Sequence, residues 1–149
     1  MKKIFFILTA FSAFCLASCE QDDSPGDNYD FSNSLPPYVA LSSTATKTVK
    51  QGGSTTFTFQ TRTAMQQQIT VTYNVTGAVT LNNQTVVIDR DKTSAVATVN
   101  IPNGVIVPPA TSATATLTLV KAVTADGREL TLGQKNNPAS QKVTINITQ

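Results

Sequence analysis

The chain contains no histidine and no tryptophan among its 149 residues, and it contains two cysteines. Without histidine, neither a Ser-His-Asp catalytic triad nor a histidine-ligated metal centre can form. From residue 31 onward the acids are Asp89, Asp91, Asp126 and Glu129. They lie in two pairs near predicted turns, whereas calcium takes about six to eight oxygen ligands, several of them carboxylate. We therefore predict no catalytic residue, no metal site and no cofactor, and hence no enzyme.

Long apolar runs are also scarce, and the one candidate lies at the start of the chain. Lys2 and Lys3 precede an uncharged run of 13 residues, 4–16. A membrane-spanning helix needs about 20 apolar residues, so this run fits the apolar core of an export signal instead. Small residues at 17 and 18 then precede Cys19. Cys15 lies within the segment that cleavage removes, so the mature domain has no free thiol and no disulfide.

The sequence "LASC", residues 16–19, resembles the lipobox of bacterial lipoproteins. This resemblance implies that the Cys19 thiol is acylated, with chains such as palmitate, and becomes the new N-terminus. Burial of an acyl chain contributes about 0.8 kcal/mol per CH₂, and two or more chains hold a protein stably on a membrane. The alternative is a plain signal peptide in which Cys19 has no role.

An acidic stretch without a base follows the cysteine. It resembles the stretch found after the lipidated cysteine of Bacteroidota surface lipoproteins, which implies an outer-membrane protein facing the cell surface. The simpler interpretation, a solvated flexible linker, is compatible with it. We predict a signal peptide over 1–18, a linker over 19–35 that spans about 20–25 Å, and one domain over 36–149. The acids of the stretch that follows Cys19 are Glu20, Asp22, Asp23, Asp27 and Asp30.

Threonine is abundant, with 24 residues, and β-branched side chains suit the exposed face of a sheet. Apolar residues alternate with polar ones in several short segments, and turn residues lie between them. This pattern predicts an all-β, antiparallel sandwich of about seven to nine strands. The predicted strands include "YVAL", "TKTV", "TTFTFQT", "ITVTYNV", "TVVI", "AVATVNI", "ATATLTLV" and "KVTINIT"; the predicted turns include Gly52-Gly53, Asn82-Asn83 and Asp126-Gly127.

Three motifs within this pattern resemble the Calx-beta domain, an immunoglobulin-like sandwich. They are the opening Val49–Gly53, the turn Lys92–Ser94 and the strand Val99–Ile101, and the resemblance extends in outline over residues 39–149. Calcium-binding members carry acids at three places where this chain has Gln51, "PNG" at 102–104 and "VIVPPA" at 105–110. The resemblance thus implies the fold but not the calcium site.

The loop "NGVIVPPAT", residues 103–111, is the candidate partner surface: Val105, Ile106, Val107, Pro108 and Pro109. These apolar side chains either fold onto the end of the sandwich or contact a partner. In extended backbone, successive side chains point to opposite sides. We therefore expect either Ile106 to face inward with Val105 and Val107 outward, or the reverse. A second candidate is "AMQQQ", residues 64–68, whose amides either solvate a loop or bind sugar hydroxyls.

The basic residues of the domain are dispersed and lack interleaved aromatics, so nucleic-acid binding is not predicted. We expect a non-catalytic, lipid-anchored surface module. Its partner would be a larger outer-membrane complex of the nutrient-import type, or a glycan. The alternative is a structural or adhesive immunoglobulin-like unit of a surface fibre.

Overall fold

Nine β-strands form two facing sheets in the computed structural model, which describes residues 36–134 and 137–149. The predicted signal peptide and linker lie outside these residues. A short 3-10 helix, Pro138–Gln141, precedes the last strand. The strands are β1 (Tyr38–Leu41), β2 (Lys47–Lys50), β3 (Ser54–Thr61), β4 (Ile69–Gly77), β5 (Leu81–Ile88), β6 (Ser94–Asn100), β7 (Ser112–Thr124), β8 (Thr131–Leu132) and β9 (Lys142–Thr148).

The four-stranded sheet has the order β6-β3-β1-β8, and the five-stranded sheet has the order β2-β9-β7-β4-β5. Neighbouring strands are antiparallel except for β1 with β8 and β2 with β9, which are parallel. Along the described chain, every connection between successive strands passes from one sheet to the other except that between β4 and β5. The predicted all-β sandwich is confirmed. The prediction described the strands as antiparallel, and these two parallel pairs depart from it.

The core lies between the sheets and follows the alternation of the sequence. In β4 every second residue from Ile69 to Val75 is buried, and the threonines between them face outward. Because successive side chains of a strand point to opposite faces, one polar and one apolar face per strand directs each sheet's apolar face inward. The predicted inward residues of β3, β6, β7 and β9 are buried in the same way: Phe57, Phe59, Ala97, Val99, Leu117, Leu119, Val143, Ile145 and Ile147.

Two strands depart from simple alternation at β-bulges. In β7, Leu119 pairs with Tyr73 and Lys121 with Thr72, so Val120 has no partner on β4 and is exposed. In β5, Asn82 and Asn83 lie opposite the single residue Asn74 of β4. Asn83 has a φ of +52°, and the backbone N–H of Asn83 donates to Asn74 Oδ1 at 2.7 Å. The sequence assigns Asn82-Asn83 to a turn, and that assignment is wrong because both lie within β5.

The two ends of the sandwich differ in what they contain. At the near end, where the described chain begins, Val39 pairs with Thr61 and the loops 62–68, 89–93 and 125–130 come together. At the far end, Lys50 pairs with Thr148, and the loops 51–53, 78–80 and 101–111 lie beside the C-terminus. No helix of the described residues is long and apolar enough to cross a membrane.

Candidate functional site

The far-end loop between β6 and β7 divides its apolar side chains between the core and the solvent. Ile106 is 5% exposed and belongs to the core cluster, and Val105 is partly buried against that cluster. Val107 is 70% exposed, the highest value among the large hydrophobic residues that the structure describes as exposed. The loop therefore has Ile106 inward and Val107 outward, but Val105 does not share the side of Val107 as alternation in extended backbone predicts, because the chain bends at residue 106.

Pro108 and Pro109 follow Val107 on the surface, joined by a cis peptide bond. The backbone N–H of Ala110 donates to the carbonyl oxygen of Val107 at 3.1 Å, and the Gln149 side chain donates to the carbonyl oxygen of Ala110 at 3.3 Å. Proline also fixes φ. Val107 is thus presented by a loop that is held at both sides, while Ile106 is not accessible to a partner.

Two of the three places that differ from calcium-binding Calx-beta domains meet at the same end. Gln51 Oε1 accepts a hydrogen bond from the Gly104 backbone N–H at 3.2 Å. Gly52 has a φ of +79°, and a Cβ at this position would lie 2.3 Å from Asn103 Oδ1. The side chains at these two places, Gln51 and Asn103, are amides and not carboxylates, and the Gln51 amide bonds the backbone of the loop.

Within the described residues, no three His, Cys, Asp or Glu side chains lie close enough together to hold a metal ion. The carboxylates of Asp91, Asp126 and Glu129 each contact a neighbouring side chain instead. Arg90 pairs with Asp91 at 3.3 Å, and Lys121 pairs with Glu129 at 2.8 Å. Whether calcium binds the protein stays a prediction.

At the near end, the loop "AMQQQ" ties adjacent turns together. Gln66 Nε2 donates to Asp91 Oδ1 at 3.0 Å, and Gln66 Oε1 accepts from Arg90 at 3.1 Å. Gln67 Nε2 donates to Asp126 Oδ2 at 3.2 Å. The amides of Gln66 and Gln67 are therefore used within the protein, which favours the loop-supporting interpretation over sugar binding at these two residues.

Asp126 is the acid with the most donors around it. The Thr124 hydroxyl, the Gln67 amide and the Arg128 backbone N–H all donate to its carboxylate. These hydrogen bonds, that from Thr124 first, stabilise the charged form and lower the pKa of Asp126 below its ordinary value. Through these hydrogen bonds Asp126 links the turn after β7 to the loop with Gln67.

A polar cleft beside β1, lined by Tyr38, Gln60 and Gln134 among others, is not predicted by any sequence pattern. These residues come from β1, from β3 and from the segment after β8, so no local spacing joins them. Cys19, the predicted lipidation site, lies outside the described residues and stays a prediction.

No family model matches the chain, and no curated protein matches it. A solved structure that resembles it is the crystal structure of the apo form of the Calx CBD1 domain, with a TM-score of 0.55 and 9% sequence identity. The alignment covers 76% of this chain and 97% of that domain. The fold is Calx-beta-like.

The predicted resemblance to Calx-beta is thus confirmed as a fold, and at this identity it shows the fold alone. A second structure, WR4 from C. elegans, is a member of the MSP family. It aligns at 10% identity over 74% of this chain and 95% of its own, with a TM-score of 0.32, which is too low to indicate a shared fold.

Proposed function

We propose that the protein is a non-catalytic binding module, anchored to the outer membrane by lipid on Cys19 and facing the cell surface. Its far-end loop docks a larger outer-membrane protein complex of the nutrient-import type. The observation that carries the proposal is Val107, which is 70% exposed beside the buried Ile106. Pro108 and Pro109, which follow Val107, are exposed as well, and a contiguous exposed apolar surface supports contact with a partner.

The position of the loop suits a tethered protein. The described chain begins at the near end, where the Pro37 carbonyl oxygen accepts a hydrogen bond from Thr131 at 3.3 Å. The loop with Val107 lies at the far end. The predicted linker over residues 19–35 would therefore join the domain at the end opposite the loop, so the point of attachment does not compete with Val107 for a partner.

The loop is also ordered before it meets a partner. Ile106 anchors it in the core, and hydrogen bonds to Val107 and Ala110 close its second half. Each side chain that becomes immobilised on association costs about 0.5–1.5 kcal/mol of binding free energy, and a loop that is ordered beforehand reduces this cost. A small apolar contact can therefore contribute to affinity.

The non-catalytic part of the proposal is supported by composition and by the placement of the acids. The chain has no histidine, and Asp91, Asp126 and Glu129 each contact a neighbouring residue. No acid is among the described residues that line the cleft beside β1, whereas acid–base catalysis usually places two acids in one cleft.

The test has two steps. First, Cys19→Ala should move the protein from the membrane to the soluble fraction, because it removes the acylation site. Second, membranes should be extracted with detergent, and proteins that co-purify with the wild type and with Val107→Asp should be compared. We expect a stoichiometric large partner with the wild type and its loss with Val107→Asp.

Val96→Asp is the matched control for the second step. Val96 is 59% exposed on β6, so the same charge is introduced at another exposed valine of the same domain. It should retain the partner. Membrane association that survives Cys19→Ala would contradict the anchor, and self-association in place of a large partner would favour the fibre-unit alternative.

A further inference from the structure

We propose that the cleft beside β1 binds a neutral oligosaccharide. The cleft has a volume of about 540 Å³ and is open to solvent on the four-stranded sheet. This volume lies within the range of about 300–1,000 Å³ that is typical of ligand pockets. The proposal rests on the proposed function, since it supplies a ligand for a binding module, but it uses a different surface from the Val107 loop.

Strand pairing places the central groups of the cleft. Ala40 of β1 pairs with Gln60 of β3, and Val39 and Leu41 on either side of Ala40 are buried in the core. Alternation therefore puts Tyr38 and Ala40 on the outer face of the sheet, beside Gln60. Ala40 is itself buried, at 2% exposed, so the accessible groups of this part of the cleft are the half-buried Tyr38 ring and the exposed Gln60 amide.

The polar groups of the cleft are free to bind a ligand. In the described part of the chain, the Tyr38 hydroxyl and the side-chain amides of Gln60 and Gln134 make no hydrogen bond. Most other described glutamines do bond, to carbonyl oxygens, backbone N–H groups or acids: Gln51, Gln66, Gln67, Gln84, Gln141 and Gln149. Two unpaired amides therefore converge on one cleft, each with donors and an acceptor.

The chemistry of the lining selects the class of ligand. No charged side chain is among the described residues that line the cleft. They are Tyr38, Leu41, Gln60, Gln134 and the small or hydroxyl residues at 40, 42–45 and 140. Among these described residues a charged ligand would find no opposite charge, and an unpaired charge is costly to desolvate. Amides and hydroxyls match sugar hydroxyls, and the half-buried Tyr38 ring offers an apolar face to the C–H groups of a pyranose ring.

The test is isothermal titration calorimetry on the full-length protein, extracted in a polyoxyethylene detergent because glycoside detergents would compete. The probes are neutral hexasaccharides of glucose, mannose, xylose and galactose. We expect at least one to bind the wild type. Gln60→Ala should weaken that binding by about tenfold through the loss of its hydrogen bonds.

Two further variants separate stacking from hydrogen bonding. Tyr38→Phe keeps the ring and should bind within a few-fold of the wild type, whereas Tyr38→Ala should lose measurable binding. Gln68→Ala is the matched control, because Gln68 is an exposed glutamine of the near-end loop outside the cleft, and it should bind as the wild type does. Gln60 is exposed, so Gln60→Ala is informative even if Tyr38→Ala unfolds.

Failure of all four sugars to bind at millimolar concentration would overturn the proposal, and so would equal binding by Gln60→Ala and the wild type. These outcomes are distinct from failure of the proposed function. Loss of the protein partner in Val107→Asp with unchanged sugar binding would support both surfaces. Sugar binding without any co-purified partner would support the cleft and contradict docking by the loop.

Discussion

The burial of Ile106 allows a quantitative test of how the far-end loop is held. Ile106 is 5% exposed and packs with the core between the sheets, whereas Val107 beside it is 70% exposed. Ile106→Ala removes three carbons from the packed interior, and such truncations cost about 2–5 kcal/mol. We take about 3 kcal/mol for a loop at the end of the core.

This loss converts directly into a melting temperature. The domain over residues 36–149 has 149 − 35 = 114 residues. At about 2.1 cal/mol/K per residue, its unfolding entropy is about 0.24 kcal/mol/K, so each kcal/mol lowers the melting temperature by about 4 °C. Ile106→Ala should therefore melt about 12 °C below the wild type, measured by circular dichroism.

Val107→Ala is the control on the adjacent residue. Its side chain lies in solvent, so the free energy of unfolding should change by no more than about 0.5 kcal/mol, or about 2 °C. A fall of less than about 4 °C in Ile106→Ala, or falls of similar size in both variants, would refute the assignment of Ile106 as the anchor of the loop.

Three further predictions concern the ends of the sandwich. Gly52→Ala should lower the melting temperature more than Gly104→Ala. Both glycines have a φ near +78°, but only at Gly52 would the new Cβ meet another residue, Asn103. Equal losses in the two variants would contradict this packing. Because the pKa of Asp126 is lowered, its contribution to stability is present above pH 3.8 and is lost as the pH falls through the folded-state pKa. The wild type should therefore melt higher than Asp126→Asn at neutral pH, and this difference should close in acid. A difference that does not depend on pH would contradict the role of these hydrogen bonds. Calcium should leave the melting temperature unchanged, whereas a site filled at a thousandfold excess over its dissociation constant would add about 4 kcal/mol of stability; a rise that a chelator reverses would show that the amides around Gln51 had been misinterpreted.

The faces of the strands could be predicted from the sequence because burial in a sandwich has a period of two. The segment from Ile69 to Val75 shows this plainly, with apolar residues at every second position and all four of them buried. Where an extra residue enters a strand, the pattern breaks. Val120 has no pairing partner because of the register between β4 and β7, which no local pattern of β7 contains.

The loop and the cleft differ in how much of them a sequence reveals. Three apolar residues before two prolines mark the loop, but the choice between Ile106 and its neighbours as the inward side depends on how the loop meets the core. The cleft joins Tyr38, Gln60 and Gln134 through the antiparallel pairing of β1 with β3 and the parallel pairing of β1 with β8. The two residues of β8 are too few to show alternation, so this part of the sheet is not predictable from pattern.

The central claim is that the far-end loop of a lipid-anchored module contacts a protein partner, and site-specific photocrosslinking in intact cells tests it most directly. A photoreactive phenylalanine analogue would replace Val107 in one strain and Val96, the exposed valine of β6, in another. The account predicts one heavy adduct with an outer-membrane protein from position 107 and none from position 96. The same adducts from both positions, or no adduct from position 107 when the protein is in the membrane fraction, would contradict it.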